Sequence, residues 1–354
     1  WIFGIERVKE QRAMLADLAG KVTGHAELAS AVKRAQQATD DFIRWLEQKA
    51  PSKSGPSGVG IENYDWYLAH VQLVPYTWAE EMALMQRELA RAWAGLALEE
   101  EKNRALPPLV PVASAEEHQR RFNAAVSEYL AFLRDRHILT LRDWMDSALR
   151  ARIGRFAPGE REFFTEVDYR DPVALRTHSY HWIDLGFLQR EPHSSAIRRG
   201  VLLYNIFDSR TEGFATAMEE LMMHAGLFEA RPRSRELIYI LLAQRAARAL
   251  GDLRMHANQV TLEEAARFAS ENTPRGWLRL TGKTVRWEQH LYLQQPAYGT
   301  SYVIGKLEVD KLIAARARQL GDKFSLRSVI DDLNTAGLIP IALLRKELTP
   351  GAAN

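Results

Sequence analysis

Apolar residues recur at three- and four-residue steps along most of the chain, which is the spacing of one face of an α-helix. The N-terminal part shows this spacing in Met14, Leu15, Leu18 and Val22, and again in Ala31, Ala35, Ala38, Phe42 and Trp45. A hydroxyl residue precedes a glutamate by three positions, as in a capping box at a helix start, at Thr77, Ser114 and Thr261. The pattern therefore predicts an all-α fold of about a dozen helices.

Strand patterns are sparse, and only short stretches such as 163–167 and 287–293 are candidates for extended structure. Residues 51–60 are rich in Pro, Gly and Ser, which predicts a flexible loop or linker. The proline-rich stretch 106–111 predicts a stiffer extended connector.

We divide the sequence at that connector. Residues 1–110 form a predicted N-terminal helical region, and residues 111–354 form a predicted C-terminal helical region that carries the candidate chemistry. We find no internal repeat with the period of a solenoid or propeller.

Composition and charge exclude several classes of function. The 354 residues include 47 Lys and Arg and 45 Asp and Glu, a net charge of +2 that argues against a nucleic-acid partner. The absence of cysteine excludes disulfides, thiolate metal sites and thiol nucleophiles. No apolar run approaches the roughly 18 residues of a membrane-spanning helix. Residues 1–20 show no signal peptide, and the compartment stays open between the cytoplasm and the periplasm or exterior.

The first candidate motif contains two histidines and an aspartate at three-residue steps, within a predicted helix after Asp171-Pro172. These residues are His178, His181 and Asp184. Residues three apart are neighbours on a helix surface, and two imidazoles with a carboxylate can bind Zn, Mn or Fe. The alternative is a polar helix face with one histidine hydrogen-bonded in the core.

The second motif places two glutamates on one face of a predicted helix. Glu212 opens that helix, and Glu219 follows two turns later on the same side. Gly213 and Ala215 are small enough to let another backbone or a ligand come close. Alternatively, Glu212 only complements the dipole of the first helical turn.

The third motif is a polar stripe at four-residue steps, formed by Arg248, Asp252 and His256. At this spacing Asp252 can pair with Arg248 and can also orient His256. The stripe is either a solvated face with salt bridges or, if it is buried, a supporting shell or an acid/base relay.

The fourth motif places two tyrosines near the start of a helix, Tyr298 and Tyr302, after a loop punctuated by Pro296 and Gly299. A phenol can donate a hydrogen bond to a developing oxyanion. Aromatic packing at a helix start is the alternative for either tyrosine.

Taken in this order, the four motifs resemble the bacterial domain-of-unknown-function family 885, whose members look like all-helical, zincin-type metallopeptidases. Residues 212–219 are similar to the family's Glu-Gly-Trp-Ala with a later Glu. Residues 245–256 fit Arg-Ala-x-Arg-x-x-x-Asp-x-x-x-His, and residues 296–306 resemble Pro-Gly-Gln-Ala-x-Ser-Tyr-x-x-Gly-Lys. The likeness covers most of the chain and is strong after residue 170. Because family members are usually longer, it also implies a missing N-terminal portion.

The resemblance implies a zincin-like architecture with a central cleft, a divalent metal with zinc as the first candidate, and a peptide or small-molecule substrate. The metal ligands that it implies are His178, His181, Asp184 and Glu212. The catalytic residues would be Glu219, His256 and Tyr302, and the substrate-binding residues would be Arg248, Arg254 and Tyr298.

The first motif departs from the family pattern His-Glu-x-x-Pro-Gly-His. Aligning His178 with the first His places Ser179 at the Glu and Asp184 at the second His, whereas aligning His181 places Trp182 at the Glu. In a zincin that Glu is the general base for metal-bound water, and losing such a base typically costs about 10²–10⁴ in rate. Either another carboxylate such as Glu219 replaces it, or peptidase activity is lost.

Three functions therefore stay open. The first is a metal-dependent hydrolase of a peptide or amide-like bond, and the second is an inactive zincin-like protein that binds a peptide or small ligand in the former cleft. The third is metal chemistry of another class, such as a lyase or an iron or manganese oxygenase. The sequence does not determine the oligomeric state.

Overall fold

The computed structural model of the protein describes residues 1–200 and 207–350, without the side chains of Ile2 and Phe3. Within these ranges the chain forms sixteen α-helices, short 3₁₀ and π turns, and no β-strand, which confirms the all-α prediction. The first eight helices are α1 Ile2–Lys21, α2 Ala26–Lys49, α3 Ile61–Tyr67, α4 Trp78–Lys102, α5 Ala115–Asp135, α6 Met145–Arg150, α7 Phe163–Arg170 and α8 Pro172–His178. The others are α9 Tyr180–Arg190, α10 Asp208–His224, α11 Ser234–His256, α12 Leu262–Glu271, α13 Lys283–Gln294, α14 Tyr298–Leu320, α15 Leu326–Thr335 and α16 Ile341–Leu348.

The two stretches that we considered as strands are both helical. Residues 163–167 lie in α7, and residues 287–293 lie in α13. The aromatic and β-branched residues there favour strands in isolation, but buried positions such as Val285, Gln289 and Tyr292 follow the helical period. Tertiary packing therefore overrides local preference in these segments.

The predicted helix starts are formed largely as expected. Thr77 and Thr261 make complete capping boxes with the glutamates three residues later. The Ser114 hydroxyl accepts the Glu117 N–H, but the Glu117 carboxylate accepts the N–H of Ala113 at 3.0 Å. Hydroxyl caps of this kind satisfy backbone donors that the helix leaves free.

The chain divides into two compact units, Trp1–Ser57 and Gly58–Asn354, so the division falls inside the segment 51–60 predicted as a linker. The predicted boundary at residues 110 and 111 lies within the second unit, because α4 packs along α11. No helix in the described part of the chain is long and apolar enough to cross a bilayer.

The first unit is a hairpin of α1 and α2. Val32 and Ile43 of α2 are buried, and Lys9 of α1 bridges to Glu47 of α2 at 2.6 Å. Phe42 and Trp45 leave nearly half of their surface exposed.

In the second unit α11 is buried along almost its whole length and packs against α4, α12, α13 and α14. Its polar residues Arg245, Arg248 and Asp252 are therefore buried as well, which rules out a solvated face for the third motif. Buried charges need partners, and the partners of these residues define the surroundings of the candidate site.

Helices α10 and α14 cross with their backbones in contact. A Cβ atom built on Gly305 would lie 1.8 Å from the carbonyl oxygen of Ser209, and one on Gly213 would lie 2.2 Å from the Cα of Gly305. Only glycine allows this approach. The prediction that Gly213 admits a neighbouring backbone is confirmed.

The predicted helix that carries the first motif is interrupted. It ends as α8 at His178 and restarts as α9 at Tyr180, with Ser179 between the two. The Ser179 hydroxyl donates to the carbonyl oxygen of Leu175 at 2.9 Å, inside the turn. The two histidines therefore belong to different helices.

Candidate functional site

Three of the four predicted metal ligands come together. One ligand atom each from His178, His181 and Glu212 lie within 4.8 Å of one another. The two imidazole rings meet edge to face, with centroids 4.9 Å apart. Among the residues that the structure describes, no other group of three His, Asp or Glu side chains meets this distance condition. We call these three residues the ligand cluster.

Glu212 lies in the second turn of α10, not in the first, because the helix begins at Asp208. Its Oε2 is 2.9 Å from His181 Nε2, and its Oε1 accepts a hydrogen bond of 2.6 Å from the Tyr298 hydroxyl. Burial raises the pKa of Glu212, but His181, His178 and the Tyr298 hydroxyl together lower it to about 2. The carboxylate is therefore ionised at neutral pH.

The two histidines have opposite pKa shifts. Burial and the charge of Arg245 lower the pKa of His178 well below its ordinary value, so this ring is neutral. Burial also lowers the pKa of His181, but the adjacent Glu212 more than offsets it, and the net shift is upward. A neutral imidazole offers a nitrogen lone pair to a cation.

Glu219 lies behind His178 and is not free to act as a base. Its two oxygens accept hydrogen bonds of 2.8 and 2.6 Å from Arg245, and Oε1 is 3.0 Å from His178 Nδ1. Burial raises the pKa of Glu219 to about 7, although the guanidinium opposes the shift. Because both oxygens are occupied, its geometry suits support of His178 better than proton transfer with water.

Asp184 is not brought to the ligand cluster. Its oxygens accept hydrogen bonds of 3.1 and 2.9 Å from the buried guanidinium of Arg210, which also donates to the carbonyl oxygen of Leu333 at 2.9 Å. Asp184 therefore ties α9 to α10 and α15. A cation there would displace Arg210 and leave its charge buried without a partner.

The two arginines predicted to bind substrate have partners within the fold. Arg248 pairs with Glu288 of α13, not with Asp252, and its guanidinium lies 4.3 Å from the ring centre of Tyr302. The Arg254 guanidinium lies 4.6 Å above the Phe268 ring of α12. Arg254 is nine residues from Arg245, which is two and a half turns, and it therefore faces the opposite side of α11.

His256 lies in the scaffold and not at the ligand cluster. Its Nε2 is 2.9 Å from the carbonyl oxygen of Tyr292, and its Nδ1 accepts from the N–H of Val59 at 3.4 Å. The nearest oxygen of Asp252 is 3.7 Å away. Both ring nitrogens have backbone partners, so the catalytic role predicted for His256 does not fit its surroundings.

Asp252 positions the tyrosine loop. It accepts the N–H of Gly299 at 2.7 Å and the Tyr64 hydroxyl at 3.3 Å. Ala297, two residues before Gly299, has a φ of 67°, a left-handed conformation that is uncommon for a residue with a side chain. This turn starts α14 so that the next residue, Tyr298, reaches Glu212.

Tyr302, which was predicted to be catalytic, lies beside the ligand cluster. Its ring stacks over His178 with centroids 6.4 Å apart and meets the Tyr298 ring at 5.9 Å. Burial raises the pKa of both tyrosines above the ordinary range, so both phenols are neutral donors.

Sequence reasoning gave no role to several buried residues around the cluster. Asp208 lies one turn before Glu212, and burial and the charge of Glu212 raise its pKa to about 7. Gln72, its hydrogen-bond partner, ends a π-helical turn that is followed by Leu73 at a φ of 54°. The four-residue spacing of Asp208 and Glu212 was visible in the sequence, whereas Gln72 lies too far along the chain for any local signal.

Comparison with known protein families gives a match over the C-terminal part of the chain. Residues 181–348 match the sequence profile of the family described as "Bacterial protein of unknown function (DUF885)". This part of the chain is DUF885-like. The match supports the family resemblance and includes Glu212, Tyr298 and Tyr302, and it begins at His181, so that His178 lies just outside it. A comparison with curated proteins gave no match.

Two solved structures share the fold. One, a "putative lipoprotein from Colwellia psychrerythraea", has a TM-score of 0.67 and 19% identity over 91% of this chain and 61% of that chain. The other, a "putative lipoprotein of unknown function from Shewanella oneidensis", has a TM-score of 0.72 and 15% identity over 97% of this chain and 73% of that chain. This chain thus spans about three fifths of the Colwellia protein. At these identities the likeness concerns the fold alone.

Proposed function

We propose that the protein is a metal-dependent hydrolase whose divalent cation is held by His178, His181 and Glu212. The observation that carries the proposal is the convergence of these three ligand atoms, within 4.8 Å, from α8, α9 and α10. Glu219 Oε1 lies 3.0 Å from His178 Nδ1, and the Tyr298 hydroxyl donates to Glu212 Oε1. Such supporting contacts accompany most metal-binding histidines and carboxylates.

The donor set fits zinc. Two imidazoles and one carboxylate leave a fourth position open, as in catalytic zinc sites, whereas structural sites use four protein ligands. When bound, a zinc ion supplies a Lewis acid for a carbonyl oxygen and lowers the pKa of water. The same ligands also suit Fe(II) and Mn, which keeps zinc a proposal for experiment.

The remaining roles belong to side chains that are already in place. The Tyr302 phenol, neutral and stacked on His178, would donate a hydrogen bond to the oxyanion of a tetrahedral intermediate. Tyr298 would hold Glu212 through Oε1 and leave Oε2 for the cation. Arg248 packs against the Tyr302 ring and is paired with Glu288, so we assign it a supporting contact and not a contact with substrate. A peptide or amide substrate is proposed from the family resemblance.

A second candidate function is a metal-retaining protein that binds a peptide or small ligand without hydrolysing it. The observation in its favour is that both candidate general bases are already engaged in hydrogen bonds. Ser179 donates its hydroxyl to a backbone carbonyl within the α8–α9 turn, and Glu219 is bound by Arg245. Measurable hydrolysis of a peptide library by the metal-loaded protein, lost in Tyr302→Phe, separates hydrolase from binder.

The test of the metal site is elemental analysis of protein purified without chelator, followed by competition titration with zinc. We expect about one ion per chain, and Glu212→Gln should weaken zinc binding beyond the 10–100-fold typical of supporting residues. Asp184→Asn is the matched control, since it removes a predicted ligand that lies outside the cluster, and it should leave affinity unchanged. Wild-type protein that stays metal-free in excess zinc or manganese would refute the proposal.

A further inference from the structure

Helices α4, α10 and α14 line a cavity of about 220 Å³ that is separate from the proposed metal site. None of the three residues of the ligand cluster lines it. Each helix contributes three residues from little more than one turn, so the cavity is a compact site and not a long groove.

The inner part of the cavity is a network of ion pairs, which we call the cavity floor. It consists of buried Glu88, Glu220 and Lys306 with the partly buried Arg91. Arg91 donates to Glu88 at 2.8 and 3.0 Å and to Glu220 at 2.5 and 2.9 Å, and Lys306 Nζ lies 2.8 Å from Glu220 Oε2. Burial raises the pKa of Glu220, but the hydrogen bonds from Arg91 and the charge of Lys306 lower it to about 2. The cavity floor is therefore charged and is held by its own contacts.

Three further charged or polar residues at the cavity are more exposed and only partly paired. The Arg87 guanidinium has five N–H donors but makes one hydrogen bond among the described residues, of 3.4 Å to Glu88. His224 Nε2 is 4.0 Å from a carboxylate oxygen, which is too far for a hydrogen bond. Asp310 accepts from Lys306 through Oδ2 at 2.9 Å, and its Oδ1 accepts from no residue that the structure describes. We call Arg87, His224 and Asp310 the cavity rim.

The unused groups of the cavity rim define the ligand that would satisfy them. Arg87 and His224 can donate to an anionic group, and Asp310 Oδ1 can accept from a cationic one. Hydrogen bonds between ionised groups are the stronger kind, which favours a ligand with both charges over a neutral polar molecule. The three carboxylates of the cavity already match its two guanidinium groups and one ammonium group. A ligand with a net charge would disturb this balance, whereas a zwitterion would not.

We propose that this cavity binds a free α-amino acid with an apolar side chain, its carboxylate at Arg87 and His224 and its ammonium group at Asp310. Leu221 and Leu307 also line the cavity and offer an apolar surface to the side chain. At about 30 Å³ for each molecule of liquid water, the volume corresponds to roughly seven waters, which is close to the size of a small amino acid. The inference does not depend on the metal site.

The first experiment titrates the protein with L-leucine and follows binding by saturation-transfer NMR, with chelator present. Two matched analogues each lack one charge: isocaproate lacks the ammonium group, and isoamylamine lacks the carboxylate. We expect saturable binding of leucine, and each analogue should bind about tenfold or more weakly, because it loses hydrogen bonds to a charged group. No saturable binding of leucine, or equal binding of either analogue, would overturn the proposal.

The second experiment tests which residues hold the ligand. Arg87→Gln and Asp310→Asn should each weaken leucine binding about tenfold or more. Both side chains are at least partly exposed, so these variants are expected to fold. Arg104→Gln is the matched control, since it changes an exposed arginine of α4 that pairs with Glu101 and does not line the cavity. Unchanged affinity in both Arg87→Gln and Asp310→Asn would contradict the assignment.

A third variant separates this cavity from the ligand cluster. Glu212→Gln alters the proposed metal site and should leave leucine binding unchanged. Binding that is lost in Glu212→Gln but retained in Arg87→Gln would place the amino acid at the ligand cluster and refute the cavity site. Conversely, a protein that binds no metal but binds leucine through Arg87 and Asp310 would refute the metal site alone.

Discussion

Helix α11 contributes to two buried polar regions, through Arg245 in one and through Asp252, two turns along the same face, in the other. The first region contains Glu212 of the ligand cluster, and the second contains Glu81 of α4. Glu81 is fully buried and the side chain of Glu212 is 15% exposed, and the pKa of Glu212 is about 2 whereas that of Glu81 is about 8. Burial raises both values, so the difference comes from the neighbours.

The neighbours of Glu212 are two imidazoles and a phenol that donates to it, and these favour the charged form. Glu81 faces the hydroxyl of Thr300 and the carboxylates of Asp252 and Asp65, none of which is a cation. A buried carboxylate without a cationic partner keeps its proton. Of these two glutamates, only Glu212 offers an ionised ligand at neutral pH.

The largest expected effect comes from removing a cationic partner from the first region, so that a buried carboxylate there lacks a cation, as Glu81 does in the second region. Arg245→Met removes the guanidinium that binds Glu219 and leaves a buried carboxylate without its cation. We expect a loss of about 3–5 kcal/mol in the free energy of unfolding, measured by chemical denaturation. The double variant Arg245→Met/Glu219→Gln should recover much of that loss, and a single variant as stable as the wild type would contradict the account.

A smaller effect should follow from removing the ionisable group of the second region. The pKa of Glu81 is about 8 in the folded protein, compared with 4.5 as its ordinary value. Between these two pH values the folded state holds a proton that the unfolded state releases, so this contribution to stability is lost as pH rises towards 8. The free energy of unfolding of Glu81→Gln, relative to that of the wild type, should rise by up to about 3 kcal/mol from pH 5 to pH 8, measured by denaturation at each pH.

The control for Glu81 is Glu101→Gln, which changes an exposed glutamate of the same helix, paired with Arg104. The stability difference between this variant and the wild type should not grow with pH. A flat difference for Glu81→Gln as well would show that Glu81 is ionised in the folded protein, and the contrast with Glu212 would then be wrong.

The smallest expected effect concerns the hydrogen bond from Tyr298 to Glu212 in the first region. Tyr298→Phe removes the hydroxyl that donates at 2.6 Å and keeps the ring. A hydrogen bond to a charged group contributes about 1.5–3 kcal/mol, so zinc affinity should fall about 10- to 150-fold in competition titration. Tyr292→Phe is the control, because the Tyr292 hydroxyl has no hydrogen-bond partner among the described residues. Equal zinc affinities in both variants would show that the Tyr298 hydroxyl does not support metal binding.

The helical architecture was largely predictable because its signals are local. Capping by Thr77, Ser114 and Thr261 depends on residues three positions apart, and apolar periodicity depends on one or two turns. The Ser179 break was not predicted, because Ser179 bonds within its own turn and has no distinctive sequence signal.

The candidate site was predicted in part. The order of the motifs brought forward His178, His181 and Glu212, which do converge. Asp184 was assigned with them because it is near in sequence, but its partner Arg210 lies 26 residues away and was not considered. Arg248 likewise pairs with Glu288 on another helix, and His256 bonds to the backbone at Val59 and Tyr292. Such choices between distant partners depend on the packed structure and not on local spacing.

The glycine contact between α10 and α14 has a consequence for how the site can vary. Gly213 directly follows Glu212, and Gly305 lies seven residues after Tyr298. The contact between the two backbones therefore sets the distance between the Glu212 carboxylate and the Tyr298 hydroxyl that donates to it. Adding a single methyl group at either glycine would push α10 and α14 apart and lengthen the hydrogen bond from Tyr298 to Glu212. The affinity for a cation can therefore be altered by substitutions at Gly213 or Gly305, neither of which is a proposed ligand.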